Sequence, residues 1–440
     1  MWFKIIPSFD YPEITTIFRL DYPRFQAMKK TFTLSLFILL SVISNAQAPS
    51  LDYPQRTYLR ENAYTIYPDE TFSRSSWEYI VPNIVNKRIV LLGEFTHGAK
   101  EIFQLRNELI HFLHEKQGFN TILFESGIGE VAVIDINRKQ LTGSQMTLGF
   151  FGGWRNTASK ELMEYIKLNN MGFAGFDVQR TGNSFQNILK NAARKQNIDT
   201  TICNQLEERY GIIQRELTDK KAVYDSLATK TLQLVDDYQQ IYNKISVNMP
   251  GNFAKELLFS RKTIANRIRF LQYMLRFVKD QDWKSRWEAR DAAMADNIKW
   301  LADSIYKNEK LIVIGHNFHV AKYNEQQKVM GDILHSYFPT DTYSFGFFAG
   351  NGSYADNAGK EMKMLPPDSS GLDIKHVIAR FPGFTTYLHI PEQKLAGTEW
   401  LHQTVIVNDT FIDLGNSNKM ILAKQFDGLI FLKKVSPSGP

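Results

Sequence analysis

The residues with the clearest potential for chemistry lie in one short segment, Gly93-Glu94-Phe95-Thr96-His97-Gly98. It falls between an apolar, strand-like run and a helix predicted to start near Ala99. A histidine beside a helix N-terminus feels the positive end of the helix dipole, which disfavours the imidazolium and keeps the ring ready to act as a base. Glu94 is placed to fix the tautomer of that ring, and the two glycines permit a tight turn with unusual dihedral angles. A histidine that only caps the helix, beside an exposed glutamate, is the alternative interpretation of this segment alone.

Further polar residues stand where other strand-like runs end. Five apolar runs are predicted to be strands: residues 88–92, 121–124, 173–176, 311–315 and 342–348. Four of them are followed by a polar residue: Glu94, Glu125, Asp177 and His316. Between the first two runs, apolar residues recur at helical spacing from Ile102 to Phe112, and the order strand, helix, strand implies parallel strands. Because the carboxyl ends of parallel strands share the edge where ligands bind, we expect these polar residues to converge.

The same patterns predict the fold class and its divisions. Alternating strands and helices indicate an α/β fold with a mainly parallel sheet and flanking helices. Residues from about 181 to 309 hold a single proline and long runs of helix formers, which predicts a large helical insertion or lid. Short β-prone pieces return at residues 384–390, 404–407 and 429–432. We expect residues 49–440 to form one catalytic domain that includes this insertion.

Composition excludes several classes of protein. The 440 residues carry a formal net charge of +6 and no block of Lys and Arg interleaved with aromatic residues, so a nucleic-acid partner is not expected. Cys203 is the single cysteine, which excludes an internal disulfide framework and a thiolate metal cluster. We expect a monomer that acts on a small molecule.

The N-terminal 48 residues contain a pattern typical of a signal peptide. Met28-Lys29-Lys30 opens a basic region, residues 31–44 are mostly apolar, and Ala46-Gln47-Ala48 has small residues at cleavage spacing. The apolar run is short for a membrane span, so a stable membrane anchor is not expected. We therefore predict export to the periplasm or the extracellular space, with residues 1–27 preceding the true start codon.

Motifs of other enzyme classes are missing or incomplete. Residues 127–132 mimic a dinucleotide fingerprint, but no strand ending in an acidic residue follows at the required distance, so we expect a turn there. The sequence has no nucleophile elbow, no Walker phosphate loop and no His-Glu-x-x-His helix. Two histidines and two glutamates could still bind zinc in principle, yet acid/base chemistry without a metal is favoured.

Beyond these positions, the sequence resembles the erythromycin esterase family over roughly residues 55–434. The resemblance rests on spaced motifs, which are the Gly93–Gly98 segment with Arg106, Phe124-Glu125, Trp154-Arg155-Asn156, Gly175-Phe176-Asp177-Val178, Arg290-Asp291 with Met294-Ala295 and Asn297, His316-Asn317 with His319-Val320, and Phe426-Asp427-Gly428. The sequence departs from the antibiotic-resistance members of the family at Phe95 and at Gly152-Gly153.

The resemblance implies a hydrolase that needs no metal or other cofactor, in which His97 acts as general base on water to open an ester or macrolide lactone. It implies that Glu94, Arg106, Glu125 and His316 are the other catalytic residues. His319, Trp154, Asp177 and Arg290 are assigned to substrate binding.

In the mechanism that we expect, Glu94 and Glu125 hold the imidazole and the water, while Arg106 and His316 stabilise the oxyanion. Two alternatives remain open. One is a metal-dependent hydrolase that uses His97, His316 and a glutamate as ligands. The other is a periplasmic glycan-binding protein without turnover.

Overall fold

The computed structural model describes residues 51–67, 74–245, 254–408 and 419–439. The predicted signal peptide and residues 1–27 lie outside these ranges, so the prediction of export has no structural counterpart here. Within the described ranges, no helix combines the length and the apolar character needed to cross a bilayer.

The strands of the described ranges assemble into one large sheet and two small ones. Their bounds are β1 Ala63–Ile66, β2 Ile89–Leu92, β3 Phe119–Gly127, β4 Gly172–Asp177, β5 Lys310–Ile314, β6 Thr342–Ala349, β7 Ser353–Ala355, β8 Glu361–Lys363, β9 Thr385–His389, β10 Val405–Ile406, β11 Lys419–Met420 and β12 Gly428–Leu432. The large sheet has the order β1-β9-β12-β6-β2-β5-β3-β4, while β7 pairs with β8 and β10 with β11.

Helices cover the sheet and extend beyond it. Their bounds are α1 Tyr53–Asn62, α2 Val81–Ile84, α3 Lys100–Gln117, α4 Ile128–Asn137, α5 Gly143–Met146, α6 Thr157–Leu168, α7 Phe185–Lys195, α8 Thr200–Thr218, α9 Tyr224–Lys244, α10 Ala254–Asp280, α11 Trp283–Trp300, α12 Asn317–Val320, α13 Met330–Tyr337, α14 Ile374–Ile378 and α15 Leu422–Gln425.

The six strands from β12 to β4 in the sheet order run parallel, and β9 is antiparallel to both β12 and β1. Strand β2 is Ile-Val-Leu-Leu, and all four residues are buried, as expected for a parallel strand with both faces covered. At the carboxyl end, Leu92 pairs with Ile314, which also pairs with Phe124. The predicted parallel α/β sheet is therefore confirmed, and the ends of β2, β5 and β3 lie side by side.

Helices α7 to α11 correspond to the predicted helical insertion. They bury an apolar cluster of their own, which includes Leu206, Tyr238 and Phe270. Buried Arg267 on α10 joins this layer to the sheet by donating a hydrogen bond to Glu130 on α4 at 2.5 Å. A buried guanidinium requires such a partner, because an unpaired charge in the interior is costly.

One local prediction was wrong. Residues 127–132 do not form a turn, because α4 begins at Ile128 with Gly127 as its N-cap residue. Its residues from Ile128 to Asp135 are buried, so packing on both sides stabilises a helix that the glycines alone would disfavour.

Candidate active site

A cavity of about 400 Å³ opens at the carboxyl edge of the sheet, where β2, β5, β3 and β4 are neighbours. One wall of the cavity carries titratable side chains, which are His97, Glu125, Arg290, His316 and His319. Glu125 lies near the end of β3, His316 follows β5, and His97 lies in the loop after β2, while His319 and Arg290 lie on α12 and α11. Of the four residues expected to converge, Glu125 and His316 therefore meet at the cavity wall.

His97 is held from behind by a buried carboxylate. Its Nδ1 lies 2.6 Å from Oε1 of Glu94, which also accepts a hydrogen bond from the indole N–H of Trp154 at 2.7 Å. The other oxygen, Oε2, accepts from Nη1 of Arg106 at 2.7 Å. Because a carboxylate accepts and does not donate, the proton of neutral His97 belongs on Nδ1. This leaves Nε2 as the basic nitrogen of the ring.

Opposing effects set the charge of Glu94, which is fully buried. Burial alone would raise its pKa, but the Arg106 guanidinium, the hydrogen bond with His97 and the electrostatic influence of the His97 and His316 rings together hold the pKa below its ordinary value. Glu94 is therefore ionised at neutral pH. An anion here stabilises the imidazolium that His97 becomes when it accepts a proton.

The two glycines that flank this segment are needed for close approach. A Cβ on Gly93 would lie 2.1 Å from Oδ1 of Asn317, and a Cβ on Gly98 would lie 1.8 Å from the carbonyl oxygen of Ala355. Neither glycine has a positive φ, so the unusual dihedral angles expected from the sequence are not found. The glycines let the His97 loop pack directly against α12 and β7.

Arg290 on α11 forms the centre of a second buried network. Its Nε and Nη2 donate to the two oxygens of Asp177 at 3.3 and 2.7 Å, and Nη2 also donates to Glu125 at 3.0 Å. Its Nη1 lies 3.0 Å from Nε2 of His319, whose Nδ1 lies 2.8 Å from Asp291. Because a guanidinium only donates, Nε2 of His319 is the acceptor and its Nδ1–H donates to Asp291.

Glu125 is ionised in this network. Burial alone would raise its pKa, but His319 and Arg290, together with the backbone N–H of His316, lower the pKa to about 2. Its second oxygen accepts that N–H at 2.9 Å, so Glu125 ties the end of β3 to the residue that follows β5.

His316 is a neutral, fully constrained ring. Its Nε2 donates to the carbonyl oxygen of Phe95 at 2.9 Å, and its Nδ1 accepts the N–H of Phe318 at 3.2 Å, which caps α12. Burial, followed by the nearby His97, lowers the pKa of His316 to about 3, so it does not become charged at neutral pH. Its ring centroid is 5.4 Å from that of His97.

The structure separates the sequence-derived site residues into two groups. His97, Glu125, His316, His319 and Arg290 line the cavity. The others are buried behind these residues and support them: Glu94, Arg106, Trp154 and Asp177.

Two expected roles do not fit this arrangement. Arg106 and His316 cannot stabilise an oxyanion as expected, because Arg106 binds Glu94 behind His97 and the ring Nε2–H of His316 donates to the Phe95 carbonyl oxygen. Trp154 and Asp177 were expected to bind substrate, yet both are nearly inaccessible and hold Glu94 and Arg290 instead.

Other residues of the cavity were not identified from the sequence. Side chains of Phe151, Gln179, Trp287 and Asn357 line it, next to Gly152 and Gly153. Trp287 lies three residues before Arg290, and residues at that spacing share a helix face. This spacing could have placed Trp287 beside Arg290 in the site. Asp291 was seen only as part of a family motif, and its contact with His319 depends on how α11 packs against α12.

Within the described part of the chain, no group of three or more His, Cys, Asp and Glu residues is arranged to hold a metal ion.

A family model and two relatives match this chain. The family model described as erythromycin esterase matches residues 114–435. The candidate hydrolase YbfO of Bacillus subtilis is 29% identical over 401 residues, covering 83% of this chain and 88% of the relative. Erythromycin esterase type II of Escherichia coli is 24% identical over 279 residues, covering 58% of this chain and 65% of the relative.

Solved structures show the same fold. The solved structure of a mutant of the erythromycin esterase EreC in its open conformation superimposes with a TM-score of 0.60 at 13% identity, covering 86% of this chain and 98% of the other. The α/β architecture with a helical insertion is thus shared. With a family model that spans most of the sequence, this chain belongs to the erythromycin esterase family, a family of hydrolases.

Proposed function

We propose that this protein hydrolyses an ester or lactone by attack of a water molecule that His97 activates. The observation that supports this most directly is the 2.6 Å contact between Nδ1 of His97 and the buried Glu94 carboxylate, on the wall of the cavity. The contact fixes the tautomer in which Nε2 is basic, as a general base requires.

The reaction proceeds in two steps through a tetrahedral intermediate. Nε2 of His97 takes a proton from water while the water oxygen bonds to the carbonyl carbon, whose oxygen becomes the oxyanion. The intermediate then collapses, the bond to the alcohol oxygen breaks, and the imidazolium of His97 returns its proton to that oxygen. No covalent enzyme intermediate forms. General-base assistance of this kind is typically worth about 10² to 10⁴ in rate.

Arg290 supplies the charge for the oxyanion in this proposal. A guanidinium carries five N–H groups. Four are used: two on Asp177, one on Glu125 and one on His319. The fifth, on Nη1, remains for a ligand in the cavity that Arg290 lines. Because the other four bonds hold the guanidinium rigid, the donor needs no reorganisation when charge develops, which is the condition for strong oxyanion stabilisation.

Two finer features belong to the same proposal. The bond is that of a carboxylic ester, which includes a macrolide lactone, because one relative is named as an erythromycin esterase. The reaction takes place outside the cytoplasm, because residues 28–48 have the pattern of a signal peptide.

The test is hydrolysis of a panel of esters and a macrolide lactone by the purified protein, its His97→Ala variant and a control, His402→Ala, which changes a histidine outside the cavity. Each is assayed with and without a chelator. We expect turnover that falls by at least about 10² in His97→Ala, persists in the control and survives chelation. Turnover that is unchanged in His97→Ala contradicts the proposal, and loss of turnover on chelation supports the metal-dependent alternative.

A further inference from the structure

The cavity has a second wall that the proton-transfer chemistry does not use. It consists of two aromatic side chains, Phe151 and Trp287, and two amide side chains, Gln179 and Asn357. They come from different parts of the chain: Phe151 precedes a short 3₁₀ turn, Gln179 follows β4, Trp287 lies on α11 and Asn357 lies between β7 and β8. The wall faces the same 400 Å³ space as His97.

The polar groups of this wall have unused hydrogen-bonding capacity. Among the residues that the structure describes, none forms a hydrogen bond with the side-chain amides of Gln179 and Asn357 or with the indole N–H of Trp287. Each amide offers a carbonyl acceptor and an N–H₂ donor, and the indole adds a donor. A ligand that lacks hydroxyl groups would displace water from all three and leave them unpaired, which is costly.

Both aromatic side chains of the wall contact neighbouring groups. The Arg286 guanidinium lies 5.4 Å from the Trp287 ring centroid, and Arg290, one helical turn further along α11, is held by the buried carboxylates. On the other side, the Phe151 ring lies 5.4 Å from the rings of both His97 and Trp154. The Phe151 ring is therefore packed before a ligand binds, which lowers the entropic cost of ordering it.

The loop that carries Gly152 leaves space in the cavity. A Cβ placed on Gly152 would have the Asn357 carbonyl oxygen as its nearest contact, at 4.0 Å, whereas a Cβ on Gly153 would meet His97 at 3.3 Å. Gly152 thus faces open space inside the cavity.

We propose that this wall binds a sugar ring, so that the substrate is a carbohydrate that carries an ester. A saturated hydroxylated ring presents C–H groups on its faces for the aromatic side chains and hydroxyl groups at its edge for the amides and the indole. A long acyl chain would instead require a mostly apolar lining, as apolar ligands generally do. The assignment rests on the proposed ester hydrolysis at His97, because it names the substrate of that reaction.

The experiment compares two acetyl esters that share the acyl group and the ring size: a methyl glucoside acetylated at its primary hydroxyl, and the acetate of cyclohexylmethanol. The full chain is assayed beside Trp287→Ala, Asn357→Ala and a matched control, Trp283→Ala. Trp283 lies on the same helix and also packs on Arg286, but it is 56% exposed and does not line the cavity. Asn357 lies in an exposed loop, so its variant tests the wall even if Trp287→Ala folds poorly.

We expect kcat/KM at least about tenfold higher for the glucoside ester, since each well-placed hydrogen bond contributes about 1 kcal/mol. Asn357→Ala should raise KM for the glucoside ester severalfold to tenfold, with kcat and the cyclohexylmethyl ester changed less than about threefold. Trp287→Ala should raise KM for both esters, because both rings present C–H groups to the indole, and more for the glucoside ester, which also loses the indole hydrogen bond. Trp283→Ala should behave as the unmodified protein does.

Several outcomes overturn the sugar assignment while the proposed ester hydrolysis stands. These are equal turnover of both esters that still depends on His97, or equal effects of Asn357→Ala on both. If neither ester is hydrolysed, the proposed hydrolysis fails for this bond. Binding of the glucoside ester to the His97→Ala protein then tests whether the wall binds a sugar ring. Saturation transfer to the sugar protons that Trp287→Ala abolishes supports the sugar site, and no transfer refutes it.

Discussion

Replacement of Glu94 by glutamine should remove catalysis while leaving the shape of the site almost unchanged. Three N–H groups point at the two oxygens of Glu94: Arg106 at Oε2, and His97 and Trp154 at Oε1. A glutamine has only one oxygen, so its N–H₂ group must face one of these two sets of donors. The amide oxygen can therefore accept either from Arg106 or from His97 and Trp154, but not from both.

We expect the amide oxygen to face Arg106, because a buried guanidinium without an acceptor is the costlier defect. The amide N–H₂ then points at Nδ1 of His97, which must become an acceptor, and the proton moves to Nε2. A ring with its proton on Nε2 cannot accept one from water. Loss of a catalytic histidine tautomer in this way costs about 10⁴ in kcat, or about 5 kcal/mol at 1.36 kcal/mol per tenfold change.

The assay is steady-state hydrolysis of the best substrate found in the ester panel, with ¹⁵N NMR of the imidazoles to identify the tautomer of His97. Thermal unfolding is measured in parallel, since loss of the buried charge pair also costs stability. The decisive control is the double variant Glu94→Gln with Arg106→Met. Without the guanidinium, the amide oxygen is expected to turn to His97 and Trp154, so the double variant should be faster than Glu94→Gln alone.

Two results would refute this reasoning. A kcat for Glu94→Gln within tenfold of the unmodified protein would show that Glu94 does not select the tautomer. Equal or lower activity of the double variant, with a folded protein and an Nδ1–H tautomer by NMR, would show that the amide orientation is not what limits the reaction.

Three further predictions follow from the same contacts. Replacing Arg290 by Lys should lower kcat by about 10² to 10³, because one ammonium cannot replace the guanidinium N–H groups, and an unchanged kcat would exclude Arg290 as the oxyanion donor. Because the folded-state pKa of Glu125 is about 2 against an ordinary 4.5, its stabilisation of about 3 kcal/mol is present above pH 4.5 and is lost as pH falls toward 2. Denaturant unfolding across this range should show that loss, and Glu125→Gln should flatten the dependence. Gly98→Ala should destabilise the fold by about 2 kcal/mol or more, since its Cβ would overlap the Ala355 carbonyl, whereas Gly152→Ala should have almost no effect on thermal unfolding.

Local patterns in the sequence predicted the fold and half of the site. Apolar runs that end in Glu94, Glu125 and His316 indicated parallel strands with polar residues at one edge, and the sheet has this arrangement. The prediction succeeded because fully buried parallel strands leave a clear apolar signal, and because topology brings their carboxyl ends together. The turn expected at residues 127–132 failed, since burial stabilises a helix there.

The sequence by itself determined which residues could carry a proton, because that depends only on side-chain chemistry and on the strand that each residue follows. The tertiary structure alone decided which of them reach the cavity. Arg106 and Arg290 look alike in the sequence, yet packing places one behind His97 and the other on the cavity wall. The second wall, with Trp287 and Asn357, likewise joins segments far apart in the chain. Such contacts depend on the packing of α11 and of the β7–β8 loop against the sheet, which no local pattern encodes.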